Sequence, residues 1–304
     1  MKKDLISIKD LSVKDLATIF NLTDELKKTP RKFNQVLKGK ILALVFQKPS
    51  CRTRVSFEVG VYQLGGNSIY LGPDQIKLGL RESTGDIART LSRYVNGITM
   101  RTFAHRSILE MAECADIPVI NALTDLLHPC QALADIYTIR ERLPKLKEVT
   151  LAFVGDGNNV CHSLLYGCSK VGMNLNIATP KNYAPQPEIL KEALSLAKAQ
   201  GVRIAVFNQA KQAVRGADII YTDVWASMGQ EKEAKARRED FQKFQVNKKL
   251  LSLAKKKCLI MHCLPAHRGE EITDEVIDSQ DSIVFDQAEN RLHVQKSILS
   301  ILLR

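Results

Sequence analysis

The chain has no apolar run approaching the roughly 20 residues that a bilayer-spanning helix needs. Met1-Lys2-Lys3 leads directly to Asp4 with no apolar stretch behind it, so no secretory signal is expected. The seven cysteines are scattered and odd in number, and they contain no C-x-x-C pair. A disulfide framework is thereby excluded, and a reduced, cytoplasmic protein is expected. His262-Cys263 with His267 is the one metal-like cluster, and it lacks the second ligand pair of a zinc site, so neither a metal nor a cofactor is expected. No zinc finger, RNP-like aromatic string, basic helix, short repeat or low-complexity segment occurs. Gly155-Asp156-Gly157 resembles the start of a dinucleotide-binding turn, but Val160 holds the third glycine position. No Asp or Glu follows from Asn158 through Pro187, where a ribose partner belongs.

What is present is an ordinary globular composition, 45% apolar and 25% charged, over 304 residues with a net charge of +11. That length favours two domains. The lysines and arginines are spread out, which fits solvated faces and a field that attracts a small anion better than a nucleic-acid surface. Strand-like runs at 41–46, 67–71, 97–100 and 118–120 alternate with helical patterns. After Leu143-Pro144-Lys145-Leu146-Lys147 the alternation resumes, with strands expected at 150–154, 175–178, 202–207, 219–222, 259–262 and 283–285. The fold class expected is α/β: two open parallel-sheet domains with helices on both faces, at 1–147 and 148–286. A last helix, 290–303 within a segment 287–304, is expected to return to the first domain.

The chain is organised around Ser50-Cys51-Arg52-Thr53-Arg54, between the apolar run Ile41–Phe46 and a helical pattern. A helix N-terminus carries unpaired N–H groups and about half a positive charge, which suits an anion. Hydroxyls and guanidinium groups at that point make a phosphate cradle. A capped surface helix with solvated arginines would carry the same string. In open α/β sheets ligands bind beyond the carboxyl ends of strands. The expected strand ends collect Ser50 to Arg54, Arg101, His128 with Gln131, Asn158-Asn159, Asp223 and Cys263-Leu264.

Four motifs in this order carry a resemblance: Ser50-Cys51-Arg52-Thr53-Arg54, His128-Pro129-Cys130-Gln131, Asp223-Val224-Trp225-Ala226-Ser227-Met228-Gly229 and His262-Cys263-Leu264-Pro265. Over nearly its whole length the chain resembles the ornithine carbamoyltransferases. The resemblance implies carbamoyl phosphate and L-ornithine as substrates, citrulline and phosphate as products, and a step in arginine metabolism. It implies that Ser50, Arg52, Thr53 and the Cys51 backbone hold the phosphate. Arg101 would bridge phosphate and carbonyl oxygen, and His128, Thr53 and Arg101 would polarise the carbonyl. Gln131, Cys263 and the Leu264 carbonyl would meet the carbamoyl nitrogen, and Arg291 resembles a further arginine of this site. Asn159, Asp223, Ser227 and Met228 would take ornithine's α-amino acid head. Asp223 and Cys263 would orient the δ-amine and help remove its proton, since a free amine has a pKa near ~10.

The resemblance also implies a homotrimer with sites between subunits, and a Ser227-Met228-Gly229 loop that closes over ornithine; the polar, glycine-containing stretch 227–239 is compatible with such a lid. Two departures stand out. Cys51 replaces the usual threonine, and Lys77 occupies a loop position that in the family reaches a neighbouring subunit's site. Other readings are a carbamoyltransferase for putrescine or N-acetylornithine, and a basic non-enzymatic binding protein. Neither membrane nor nucleic acid is an expected partner.

Overall fold

The computed structural model describes residues 3–76, 78, 82–227 and 229–304. Lys77 and Met228 lie outside the described residues. The chain forms two compact units: residues up to Tyr137 together with Glu289–Arg304, and Thr138–Ala288. Among the described residues, no helix is long and apolar enough to cross a membrane.

The first unit contains a parallel four-stranded sheet of β1 (Ile41–Phe46), β2 (Asn67–Leu71), β3 (Gly97–Arg101) and β4 (Val119–Leu123), in the order β2-β1-β3-β4. Leu42 to Phe46 are fully enclosed, as a central strand covered on both faces requires. Three of its helices start where a serine side chain caps them. Ser12 and Asp15 form a reciprocal capping box on α1 (Val13–Lys28), and Ser50 caps α2 (Cys51–Gln63). Ser83 caps α3 (Thr84–Tyr94), whose apolar face packs with α4 (His105–Cys114) in one buried cluster.

The second unit contains five parallel strands: β5 (Thr150–Val154), β6 (Asn174–Ala178), β7 (Ile204–Phe207), β8 (Ile219–Thr222) and β9 (Leu259–His262), in the order β7-β6-β5-β8-β9. The chain passes between units inside two helices, α5 (Pro129–Arg142) and the last helix (Val284–Leu302). Pro129 opens α5, where its fixed φ is helical and its missing N–H costs nothing. The contact division therefore falls at Tyr137/Thr138, a turn before the expected link at 143–147.

One expected strand is absent. In its place a single bridge pairs Ser282 with Ile260, the Ile260 N–H donating to the Asp281 carbonyl and the Ile283 N–H to the Ile260 carbonyl, each at 3.0 Å, and the helix starts at Val284. A short apolar run has no periodicity that separates a strand from a buried helix start. The last helix is accordingly longer than expected at its N-terminus. Its C-terminal half packs in the first unit, where Ser297 Oγ donates to the Ile19 carbonyl at 2.8 Å.

Candidate active site

In the first unit the strand order reverses between β1 and β3: β2 lies on one side of β1 and β3 on the other. Such a switch point leaves a crevice at the carboxyl ends. The register pairs Phe46 with Arg101, so Arg101 ends level with the turn that leads to Ser50. Ser50 is extended (φ −160°, ψ 112°), and its Oγ accepts from the Thr53 N–H at 3.3 Å. Cys51 and Arg52 are exposed in the first turn, with Thr53 buried behind them. Arg54 is not brought to the same place: its Nε donates to Glu58 at 2.9 Å and its guanidinium lies over the Tyr70 ring. The cradle thus has one guanidinium from the motif rather than two.

The second comes from the other end of the chain. Arg291 is buried; its Nη2 donates to Thr53 Oγ1 at 3.2 Å and its Nη1 to Gln131 Oε1 at 2.6 Å. Gln131 Nε2 in turn donates to Asp135 at 2.8 Å. Thr53 and Gln131, which lie 238 and 160 residues from Arg291 in chain order, form one hydrogen-bonded string with it. Arg101 and His128 are buried with them. Burial, reinforced by the charges of Arg291 and Arg101, pushes the His128 pKa well below the ordinary histidine value. His128 is therefore a neutral imidazole at physiological pH and can act through hydrogen bonding without adding charge. Cys130 of the same motif is a core thiol; burial raises it to about 12, and its Sγ faces the Asn121 carbonyl.

In the second unit the reversal lies between β5 and β8. The register aligns Val154, Thr222 and His262 across the three strands, so the segments after them emerge side by side. Gly157 turns where a Cβ would lie 2.3 Å from the Pro185 nitrogen, so only glycine fits. Asn158 then caps α6 (Asn159–Val171), accepting from the N–H groups of Val160 and Cys161. Its amide Nδ2 donates to Asp223 Oδ2 at 2.7 Å. The other Asp223 oxygen accepts from the Cys263 thiol at 2.9 Å and the Val224 N–H at 2.8 Å. Asn158, Asp223 and Cys263 are thus one cluster, and Asn159 opens the adjoining helix. Ser227 is held in a tight turn in which its N–H donates to Gln230 Oε1 at 2.9 Å and its carbonyl accepts from the Gln230 N–H at 3.0 Å. Further along, the backbone forms a 3₁₀ turn at Glu231–Glu233 and a helix, α8 (Ala234–Phe241), counted after α7 (Pro187–Gln200).

Leu264 has φ +56°, a left-handed conformation that a leucine adopts only when its surroundings hold it. What holds it is His262, whose Nδ1 accepts the Leu264 N–H at 2.8 Å. That leaves the proton on Nε2, which faces buried Glu271 Oε1 at 3.0 Å. The His262 N–H donates to Gln287, which donates to the Tyr221 hydroxyl. Sequence reasoning misses Glu271 and Gln287, because their partners lie 9 and 25 residues away with no motif linking them. It misses Lys48 too, which is buried and ion-paired with Asp125; in sequence it is only a basic residue before a proline.

Asp223, His262 and Cys263 converge closely enough to hold a cation, and so do His267, Glu270 and Glu271. His267 thus falls outside the His262-Cys263 group. Both ring nitrogens of His262 already serve the Leu264 and Glu271 contacts, so the residues fit a polar site better than a metal centre.

Two open α/β units, one with a cationic pocket at a helix N-terminus and one with a carboxylate–thiol cluster, define a group transferase acting on an anionic donor. Residues 3–141 match the carbamoyl-phosphate-binding domain of aspartate/ornithine carbamoyltransferase, and residues 147–302 match the Asp/Orn-binding domain. The chain belongs to the aspartate/ornithine carbamoyltransferase family. It is 50% identical to an ornithine carbamoyltransferase of Thermococcus kodakarensis, over 99% of this chain and 96% of that protein. One of Archaeoglobus fulgidus is 51% identical over 99% and 97%. Among solved structures, the ornithine carbamoyltransferase of Pyrococcus furiosus superposes with a TM-score of 0.96 at 47% identity, covering 99% of this chain and 96% of that one.

Proposed function

We propose that the chain transfers the carbamoyl group of carbamoyl phosphate to the δ-amine of L-ornithine, giving L-citrulline and phosphate. The observation that carries this reading is the buried string Thr53–Arg291–Gln131 beside the capped start of α2. Its buried guanidinium and hydroxyl beside unpaired helix N–H groups support a site for a phosphorylated acyl donor.

The phosphate oxygens meet Arg52, the Ser50 and Thr53 hydroxyls and the backbone N–H of Cys51. Arg101 spans phosphate and carbonyl oxygen. Neutral His128 donates to that oxygen as it gains charge in the tetrahedral intermediate, and Arg101 and Thr53 share the task. Gln131, Cys263 and the Leu264 carbonyl fix the carbamoyl nitrogen. Ornithine's α-amino acid head is taken by Asn159, Asp223, Ser227 and Met228. Asp223, already accepting from Asn158 and Cys263, offers its carboxylate to the δ-ammonium and helps it lose a proton. The neutral amine then attacks the carbonyl carbon; the C–O bond to phosphate breaks with its electron pair going to the phosphate oxygen, and the attacking nitrogen's second proton passes to the departing phosphate. Much of the rate comes from holding both reactants in line. The enzyme is a cytoplasmic homotrimer in this reading, with Lys77 offered to a neighbouring subunit.

One assay tests it: citrulline-type product formation with ornithine, putrescine and N-acetylornithine side by side. Turnover of ornithine alone is expected. Preferential turnover of putrescine or N-acetylornithine would replace the acceptor, and salt-sensitive DNA binding without product would replace the class.

A further inference from the structure

Arg237 is a cation where the helix around it gives no reason for burial. The neighbouring Arg238 behaves as a surface arginine, pairing with Glu270 at 2.9 Å with more than half its side chain exposed. Arg237 turns inward and is 7% exposed. Its Nη1 donates both to Asp156 Oδ2 at 2.8 Å and to the Trp225 carbonyl at 3.0 Å. Its Nε donates to Glu233 at 2.9 Å, and its plane lies 4.8 Å from the Tyr183 ring centroid. Tyr183 is held in turn by its hydroxyl, which donates to Asp240 at 2.8 Å.

The two acceptors on Nη1 belong to different backbone runs. Asp156 sits inside the Gly155-Asp156-Gly157 turn, and its carbonyl accepts the Asn158 N–H at 2.7 Å. Asn158 then fixes Asp223 and starts the helix that Asn159 opens. Trp225 lies midway between Asp223 and Ser227. One guanidinium therefore ties together the two segments that carry Asn159, Asp223 and Ser227. We infer that Arg237 is a positioning residue for ornithine: by bridging Asp156 and the Trp225 carbonyl it sets the spacing of the groups that grip the substrate's α-amino acid head. This rests on the acceptor assignment proposed above. Lysine cannot substitute fully, because a single ammonium lacks the planar fork that reaches Asp156, Trp225 and Glu233 together. Ser50 to Thr53, Arg101, His128, Gln131 and Arg291 belong to the first unit and make none of these contacts. Among the carbamoyl phosphate residues Cys263 alone touches Asp223, so the larger effect falls on ornithine.

The test compares Arg237→Gln, Arg237→Lys and Asp156→Asn with the parent enzyme. Readouts are KM for ornithine, kcat, carbamoyl phosphate affinity by calorimetry, and inhibition by L-norvaline, which has the α-amino acid head without the δ-amine. Arg237→Gln is expected to raise KM for ornithine and the norvaline inhibition constant in parallel, by about 30-fold or more. A factor of that size corresponds to about 2 kcal/mol. Changes in kcat and in carbamoyl phosphate affinity are expected to stay within about threefold. Arg237→Lys should fall between, and Asp156→Asn combined with Arg237→Gln should be no worse than the stronger single change, as expected for coupled partners. If Arg237→Gln does not fold, Arg237→Lys and Asp156→Asn carry the same comparison. The inference is overturned by an unchanged KM in the variants, or by carbamoyl phosphate affinity and kcat falling as far as ornithine binding does. Failure of the parent enzyme to use ornithine would instead overturn the assignment of the acceptor.

Discussion

The two units solve the same topological problem with opposite chemistry. Each sheet reverses its strand order once, between β1 and β3 in one and β5 and β8 in the other, and each presents a turn and a second strand end at that point. In the first unit Arg101 ends level with the strand that leads to the capped helix start, and buried Arg291 is bonded to Thr53 in that helix's first turn. The second unit collects a carboxylate, a thiol and side-chain amides, joined by Asn158 and Cys263 donating to Asp223. The parallel sheet supplies the place, and the side chains after each strand supply the ligand preference. A fixed cationic pocket needs no proton movement to bind phosphate. In the proposed reaction the second cluster meets an amine that arrives charged, and Asp223 is the carboxylate offered to it.

The sharpest break in this comparison is a pair of variants. Arg52→Ala should lower activity by at least about 10³-fold and abolish carbamoyl phosphate binding, read by calorimetry. Asp223→Asn should cost a similar factor in kcat/KM for ornithine while leaving carbamoyl phosphate binding within about twofold. Full activity in Arg52→Ala would show that the phosphate sits elsewhere. Next in size is Glu271→Ala, which removes the acceptor facing His262 Nε2 and should cost about 2–4 kcal/mol in denaturant unfolding, because the buried imidazole proton loses its partner.

A smaller effect distinguishes the units by pH. Burial and two cations depress the His128 pKa in the folded state, so below about pH 6.5 the unfolded chain binds a proton that the folded one does not. Stability therefore rises with pH through the window between the depressed value and about 6.5, and is lost as pH falls. His128→Gln should flatten the pH dependence of the unfolding midpoint in that window. An equally steep curve in the variant would show that His128 is charged in the native protein. The smallest effect concerns Cys51. Its exposed thiol should react with alkylating reagents, detectable by mass spectrometry, and bound phosphate should slow the reaction. Cys130 and Cys258, each raised to about 12 by burial, should stay unlabelled in the native protein. Cys51→Thr should retain activity within about twofold, since the backbone N–H is unchanged.

Much of this architecture is legible in the order of the amino acids. The β1 run, its Ser50 cap and the restart of alternation after 147 are local patterns, and local patterns survive into the fold. Arg54 shows the limit: the motif places it beside Arg52, yet a helix turn carries it outward to Glu58 and Tyr70. The run at 283–285 shows another, because three apolar residues are too few for either periodicity to register.

What the sequence determined by itself was which short segments carry chemistry, since caps, glycine turns and motif residues act over a few neighbours. Only the tertiary structure decided that Arg291 meets Thr53 and Gln131, that Glu271 locks His262, and that Arg237 turns inward to Asp156. The physical reason is that a buried polar group needs a partner wherever the fold supplies one, and no periodicity in the chain encodes which residue, here 9 to 238 positions away, that partner is.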